Sequence, residues 1–451
     1  MPSSRSRRTP PRLSRRAAFG VLAVTTVVLM ATASAPSPIY PLYRQRWGFS
    51  VTLLTVVFAV YVVGLLGALL VMGPASDRLG RRPVLLAALL LAAASTAIFW
   101  TADGVASLVV ARTVQGVATG TAVGALAAGL VDLSPRRPHA GTTVTAVGTS
   151  VGLAAGAAVV GLLVESVARP DTYVFSVLTC VFLLLTVAVW YIPETAAPAP
   201  GGPPRFRPSV RIPPGSRHRF LAAVPALVAG WSVTGLFLAL TPSVVTGVLH
   251  VGWRAAGGMD IAALFLAGGL GGMWSARYTV RRATLLGGVL LTLGSAGLAV
   301  AITLPSPYVY ACGAVVAGLG VGLTYNGNLS AIGQVTTAQS RSGVFSAVYV
   351  VSYAALSLPA LAAGLLAPVS GLRTTSLLYV GFVGSLSLIT LVRAAGSPAD
   401  RPVHRGAASP GGAGTPTVPT GRTATTRTAK AADVCRSPSG KDGPTSTSHG
   451  H

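Results

Sequence analysis

Apolar runs of about 20 residues recur along most of this chain, and they restrict its fold more than any other feature. A helix needs about 20 residues to cross the hydrocarbon core of a bilayer, so such runs read as membrane spans. Twelve are predicted, at 17–39, 52–72, 83–100, 105–131, 142–164, 173–192, 220–245, 260–274, 283–304, 308–332, 344–367 and 375–392. The eighth is the shortest. The composition agrees: 10% of residues are charged, against about 25% in an ordinary soluble protein. The 53 glycines suit helices in lipid, where small residues let backbones approach. The expected fold class is an all-α membrane protein.

The net charge of +24 does not point to nucleic acid, because of where it lies. The arginines sit in short loops between the apolar runs and in the two tails, which is the positive-inside pattern. Leaving out the C-terminal tail, twenty fall on the side of the N-terminus, against five (Arg44, Arg46, Arg169, Arg254 and Arg373) on the other. Both termini are therefore expected in the cytoplasm, with the protein multi-pass in the plasma membrane. Arg15 and Arg16, an apolar stretch and then "ATASA" also have the form of a secretory signal. Cleavage there would leave eleven spans and break the symmetry described next.

The stretch 193–219, rich in Pro, Gly and Arg, reads as a cytoplasmic linker between two six-span halves, 17–192 and 220–392. A basic tail, 1–16, precedes them. Residues 393–451 cannot bury a core and are expected to be a disordered cytoplasmic tail, dispensable from Pro398 to His451. Two halves of six spans suggest an internal repeat, a common transporter plan. Cys180 and Cys312 fall in spans and Cys435 in the tail, without metal-ligand spacing, so no metal or cofactor is expected. The six histidines lie in or beside loops or in the tail. There is no nucleophile–base pair, no H-E-x-x-H and no Gly-Lys phosphate loop. An enzyme is not expected.

Between spans 2 and 3 the chain abandons its Ala, Leu and Val for "GPASDRLGRRPVLL" (Gly73 to Leu86). Gly73 and Gly80 relax the backbone for a sharp turn, and Pro83 suits the first turn of the next helix. Asp77 can neutralise Arg78, Arg81 and Arg82 or sit against a helix N-terminus. The equivalent loop of the second half, "ARYTVRRATLLG", keeps Arg281 and Arg282 but lacks the acid and the first glycine. The first loop matches the signature G-x-x-x-D-R-x-G-R-R, and with twelve spans around it the chain resembles the major facilitator superfamily over roughly 17–392. That resemblance implies two pseudo-symmetric six-helix halves. It also implies that Asp77 latches them on the cytoplasmic side, near Ser340 to Val344, with Asp132 as a latch partner.

Three further pieces fit. "RTVQG" (Arg112, Gln115, Gly116) in span 4 matches the R-x-x-Q-G signature of the drug-efflux branch. An arginine inside a span costs about 2.5–3.5 kcal/mol on insertion scales and marks a functional site, unless it snorkels outward. In span 5, Gly148, Gly152 and Gly156 form a small-residue stripe that resembles part of the family's antiporter motif. "PET" at Pro193 resembles the end of span 6. The acids Asp132, Glu165 and Asp260 each lie near a helix end, so no clear interior carboxylate is expected.

Interior aromatic and amide groups are the candidates for a substrate cavity: Tyr61, Trp231, Phe237, Tyr325, Asn326, Asn328, Tyr349 and Tyr353. Amides buried in lipid need partners, so they face protein or cavity. The expected function is proton-coupled efflux of a small hydrophobic or amphipathic compound by a monomer that works by alternating access. A sugar or metabolite permease of the same fold and a membrane sensor without transport are the alternatives. Partners are the substrate, protons and the bilayer.

Overall fold

The computed structural model describes residues 12–134, 140–195, 212–334 and 341–396, without the side chains of 73–78, 214–216, 333–334 and 341–342. All regular structure in these residues is helical. The helices are α1 (Arg15–Ser34), α2 (Pro36–Trp47), α3 (Val51–Leu79), α4 (Arg81–Trp100), α5 (Val105–Leu133), α6 (Ala140–Ser166) and α7 (Pro170–Trp190) in the first half. The second half has α8 (Pro214–Ala239), α9 (Thr241–Gly247), α10 (Ala256–Ser275), α11 (Val280–Thr303), α12 (Pro307–Gln334) and α13 (Arg341–Gly396).

Among the described residues, eleven helical stretches are long and apolar enough to cross a membrane. The last holds 54 residues, Gly343–Gly396, and is not one rod. Gly371 breaks it with φ 79° and ψ 154°, a conformation that glycine tolerates and other residues resist. Its two arms make twelve traverses in all. The first traverse runs further than the sequence suggests. Helix α1 ends at Ser34, and α2 restarts at Pro36 and continues to Trp47. The eighth traverse, α10, spans 20 residues rather than the 15 of its apolar run. Helix α8 begins at Pro214, inside the stretch read as linker. The N-terminal tail to residue 11, most of the linker (196–211) and the tail from 397 lie outside the described residues.

The two halves pack alike. In the first, α1 lies on α6, α5 is flanked by α3 and α4, and α4 lies on α7. In the second, the first arm of α13 takes the place of α6: α8 lies on α13, α12 is flanked by α10 and α11, and α11 also lies on α13. Across the halves α6 meets α10 and α3 meets α13. Twelve traverses return the chain to the face on which α1 starts, called the terminus side here.

The opposite, far side is closed. There a Thr52 hydroxyl donates to the Gly364 carbonyl at 2.6 Å, and the Arg254 N–H to a Glu165 carboxylate at 2.8 Å. Arg44 reaches the Ser243 hydroxyl at 3.4 Å. Between these contacts the seam is backbone against small residue: a Cβ on Gly258 would lie 2.5 Å from the Ala157 carbonyl oxygen. One buried cluster crosses the seam, joining Phe58, Tyr61 and Leu65 to Val233, Phe237 and Leu356.

Candidate functional site

The Arg112 site, on α5, is built by a proline at the start of α2. Pro36 has no N–H, so the Thr32 carbonyl, four residues earlier, loses its helical partner. The Gln115 amide takes that place and donates to the Thr32 oxygen at 2.8 Å. Its own carbonyl oxygen accepts from Arg112 Nη1 at 2.8 Å, one turn up the same helix. Nη1 also reaches the Ala33 carbonyl at 3.2 Å, and Nε donates to the Tyr40 hydroxyl. Gly116 explains the fifth residue of the motif. A Cβ there would overlap the Tyr61 carbonyl oxygen, so α3 and α5 touch backbone to backbone.

The contact brings Tyr61 to the arginine. The guanidinium carbon lies 5.2 Å from the Tyr61 ring centre, 5.3 Å from Tyr40 and 5.9 Å from Phe99. Such distances favour a cation over an aromatic face. Arg112 is fully buried, so it does not snorkel. The described ion pairs are Arg46–Asp171 and Arg81–Asp132, and neither includes it. Its Nη2 is buried with no hydrogen-bond partner. The site therefore holds a cation balanced by rings, carbonyls and an amide, with one N–H group still to be satisfied.

The motif loop is neutralised from within the first half. Gly80, at φ 89°, turns the chain between α3 and α4. The Glu194 carboxylate of "PET" then accepts from the Arg81 and Arg82 backbone N–H groups at 2.8 and 3.1 Å, capping α4. The sequence offered Asp77 for such a role; Glu194 holds this one. A Cβ on Gly80 would sit 2.9 Å from Glu194 Oε2, a second reason for glycine. Arg81 Nη1 lies 2.7 Å from Asp132 Oδ2, an ionic contact not aligned as a hydrogen bond. Arg15 donates to the Asp132 carbonyl at 2.8 Å, and the Arg82 guanidinium lies 4.9 Å above the Trp190 ring. Asp132 is thus engaged inside its own half. The side chains of Asp77 and Arg78, with Gly73 and the facing stretch at Ser340 and Ser342, lie outside the described residues.

Gly148, Gly152 and Gly156 place α6 on α1, against Thr26, Val27, Met30 and Ala31. Of the cavity candidates, four meet. Trp231 lies edge-on to Tyr325 at 5.7 Å and tilted against Tyr353 at 5.1 Å, and Tyr349 stacks on Tyr353 at 6.3 Å. All four are half-buried. Trp231 and Tyr353 pack against the cluster that holds Tyr61.

The other three lie elsewhere. Phe237 is fully buried in the far-side core against Tyr310. Asn328 donates to the Thr324 carbonyl at 2.8 Å and to Thr284 of α11 at 3.4 Å, so it ties helices together. Asn326 bonds the Gly322 carbonyl and packs on Gly272 of α10. A groove of about 340 Å³ on the first half, lined by Val159, Leu163, Tyr173 and Val177, is wholly apolar and remote from these rings.

Sequence reasoning missed Asp171 and, while naming Asp260 near a helix end, did not find its burial. Asp171 is 8% exposed and paired with Arg46 at 2.8 Å. Asp260 is equally buried. Both stand within two turns of a helix start, where sequence alone gives no measure of depth.

Two halves of six traverses with repeated packing are the architecture of many secondary transporters. The Major Facilitator Superfamily model matches residues 22–360, and the chain belongs to that family, which is not a family of enzymes. No curated protein matches the sequence. Among solved structures, the crystal structure of the nucleoside transporter NupG is similar, at 11% identity and a TM-score of 0.68, over 84% of this chain and 100% of that one. That of the human organic anion transporter MFSD10 (TETRAN) is similar at 17% identity and a TM-score of 0.56, over 85% and 100%. At such identities the likeness is one of fold.

Proposed function

We propose that this transporter exports a small hydrophobic or amphipathic compound in exchange for protons. The observation that carries the reading is Arg112: buried at the R-x-x-Q-G motif, without a carboxylate partner, and with one N–H unsatisfied. An arginine does not release its own proton at working pH. It can bias a neighbour's protonation or hold an anionic group. The half-buried rings of Trp231, Tyr325, Tyr349 and Tyr353, beside Tyr61, offer flat faces to the compound. A sugar or metabolite permease would want more amide and charge there, and Asn326 and Asn328 are spent on helix contacts. The arginine bias supports cytoplasmic termini and the plasma membrane. The protein is taken to act as a monomer.

The test uses proteoliposomes with and without a pH gradient, across a compound panel. Arg112→Ala should insert at least as well as wild type, since it removes an insertion cost of about 2.5–3.5 kcal/mol. Its transport should fall to the level seen without a gradient. Arg112→Lys keeps the charge, loses the planar fork and should also be strongly impaired. Gradient-driven transport at wild-type rate by Arg112→Ala would sink the coupling role.

Asp77 stays in this reading as the latch between the halves. A latch weakened by about 1–2 kcal/mol shifts the balance of open states about 5–30-fold. Asp77→Asn should slow transport sharply while equilibrium substrate binding changes less. Lost binding with an unchanged conformational balance would refute the latch.

A further inference from the structure

Asp171 and Asp260 are both buried inside spans, and the chain treats them differently. Asp171 has Arg46. Asp260 lies in the second turn of α10, and among the described residues no hydrogen bond or ion pair reaches its carboxylate. The packed elements bring it no compensating charge. Helix α9 carries no titratable side chain, and α8 has only Arg217, His218 and Arg219, at its terminus-side end. From α12 comes Tyr310, whose hydroxyl is engaged with Thr241 at 2.8 Å. From α6 comes Glu165, which holds the Arg254 N–H. On α2, Tyr40 and Arg46 serve Arg112 and Asp171, Tyr43 stacks on Trp47, and Arg44 bonds Ser243 and Phe49. An ionised carboxylate so placed is costly, and the neutral acid is favoured.

Its position gives that proton a consequence. Gly257 and Gly258, less than a turn away, are where α10 meets Pro242 of α9 and Ala157 and Gly161 of α6. Asp260 therefore stands beside the closed far-side seam, and parting the seam widens the access of water to it. We propose that Asp260 is a proton-binding site that governs the far-side seam. Neutral, it lets the seam close as seen here. When the carboxyl gives its proton to a water molecule, the resulting carboxylate needs hydration and the open seam is favoured. The inference rests on alternating access but concerns conformation alone.

The experiment uses the full chain in nanodiscs, without substrate, with Cys180, Cys312 and Cys435 replaced by serine. Spin labels go at Thr101, just past the far end of α4, and at Thr303, the last residue of α11, both exposed. The label–label distance is read against pH. The open-to-closed ratio should rise at least about tenfold between about pH 5 and about pH 9. Asp260→Asn should stay closed throughout, changing less than about twofold. Asp260→Glu should respond with a shifted midpoint, and it carries the test if Asp260→Asn does not fold: an unchanged midpoint overturns the proposal. So does a wild-type response in Asp260→Asn, a response abolished only by Glu165→Gln, or no response in wild type. A failed Arg112 assay with this response intact would sink proton-coupled export alone.

Discussion

The two halves share a scaffold and divide the chemistry. In the first, Gly116 and Gly120 of α5 sit on the carbonyls of Tyr61 and Leu65. In the second, Gly318 and Gly322 of α12 sit on those of Leu264 and Gly268. The pairs superpose the halves residue by residue: four before Gly116 is Arg112, and four before Gly318 is Ala314. One position is a buried cation, its mate a buried methyl group. The first half holds the guanidinium and its amide. The second holds the aromatic cluster and the unpaired Asp260. A repeat keeps what backbone contact requires, and is free to differ in its side-chain chemistry.

The terminus side makes the same point with inverted sign. In the first half an acid after the sixth traverse, Glu194, caps the start of the third. In the second a base on the third, Arg281, donates to the last carbonyls of the sixth, at Ala394 and Ala395, at 3.2 and 3.0 Å. Each arrangement answers a helix end with its opposite charge.

The largest effect should come from erasing the chemical asymmetry. Ala314→Arg adds a second unpaired cation, at an insertion cost of about 2.5–3.5 kcal/mol before any overpacking. The yield of monodisperse protein should fall at least tenfold, about what 1.4 kcal/mol produces. A normal yield would mean that the second half tolerates what the first was built to hold. Next, Gly116→Ala and Gly318→Ala should each destabilise by about 1–3 kcal/mol through overpacking, and by similar amounts. Thermal unfolding in detergent that moved for one variant alone would break the residue-by-residue match. Smallest, Glu194→Gln and Arg281→Gln should each cost about 0.3–1 kcal/mol, more at low salt. Equal loss at high and low salt would show that packing, not charge, matters there.

Much of this was legible in the sequence, for identifiable reasons. Apolar runs of span length admit few other readings, so the traverses could be placed. A lone arginine inside such a run is costly enough to announce itself, and Arg112 was found that way. Its partners could not be. Tyr40 and the Thr32 carbonyl reach it only because Pro36 breaks α1 from α2, and a proline in sequence does not say which carbonyl it frees or what will use it. The aromatic residues were visible as chemistry, but Phe237 in the core and Tyr353 at the cluster look alike on the page. Asp260 was visible and passed over, since closeness to a helix end suggested exposure that packing removes.

The far-side seam carries a practical corollary. Around Gly258 the seam brings backbone onto backbone, and at Gly364 backbone meets the Thr55 side chain. Parting it there separates close small-residue contacts, while Thr52, Glu165 and Arg44 give up their bonds across it. The same construction is vulnerable to a wedge. A single methyl group at Gly364 would collide with Thr55 and at Gly258 with the Ala157 carbonyl, so alanine at either glycine would prop the door rather than seal it. Such a chain would be a trapping reagent, holding the opposite stage of the cycle for ligands that approach from the far side.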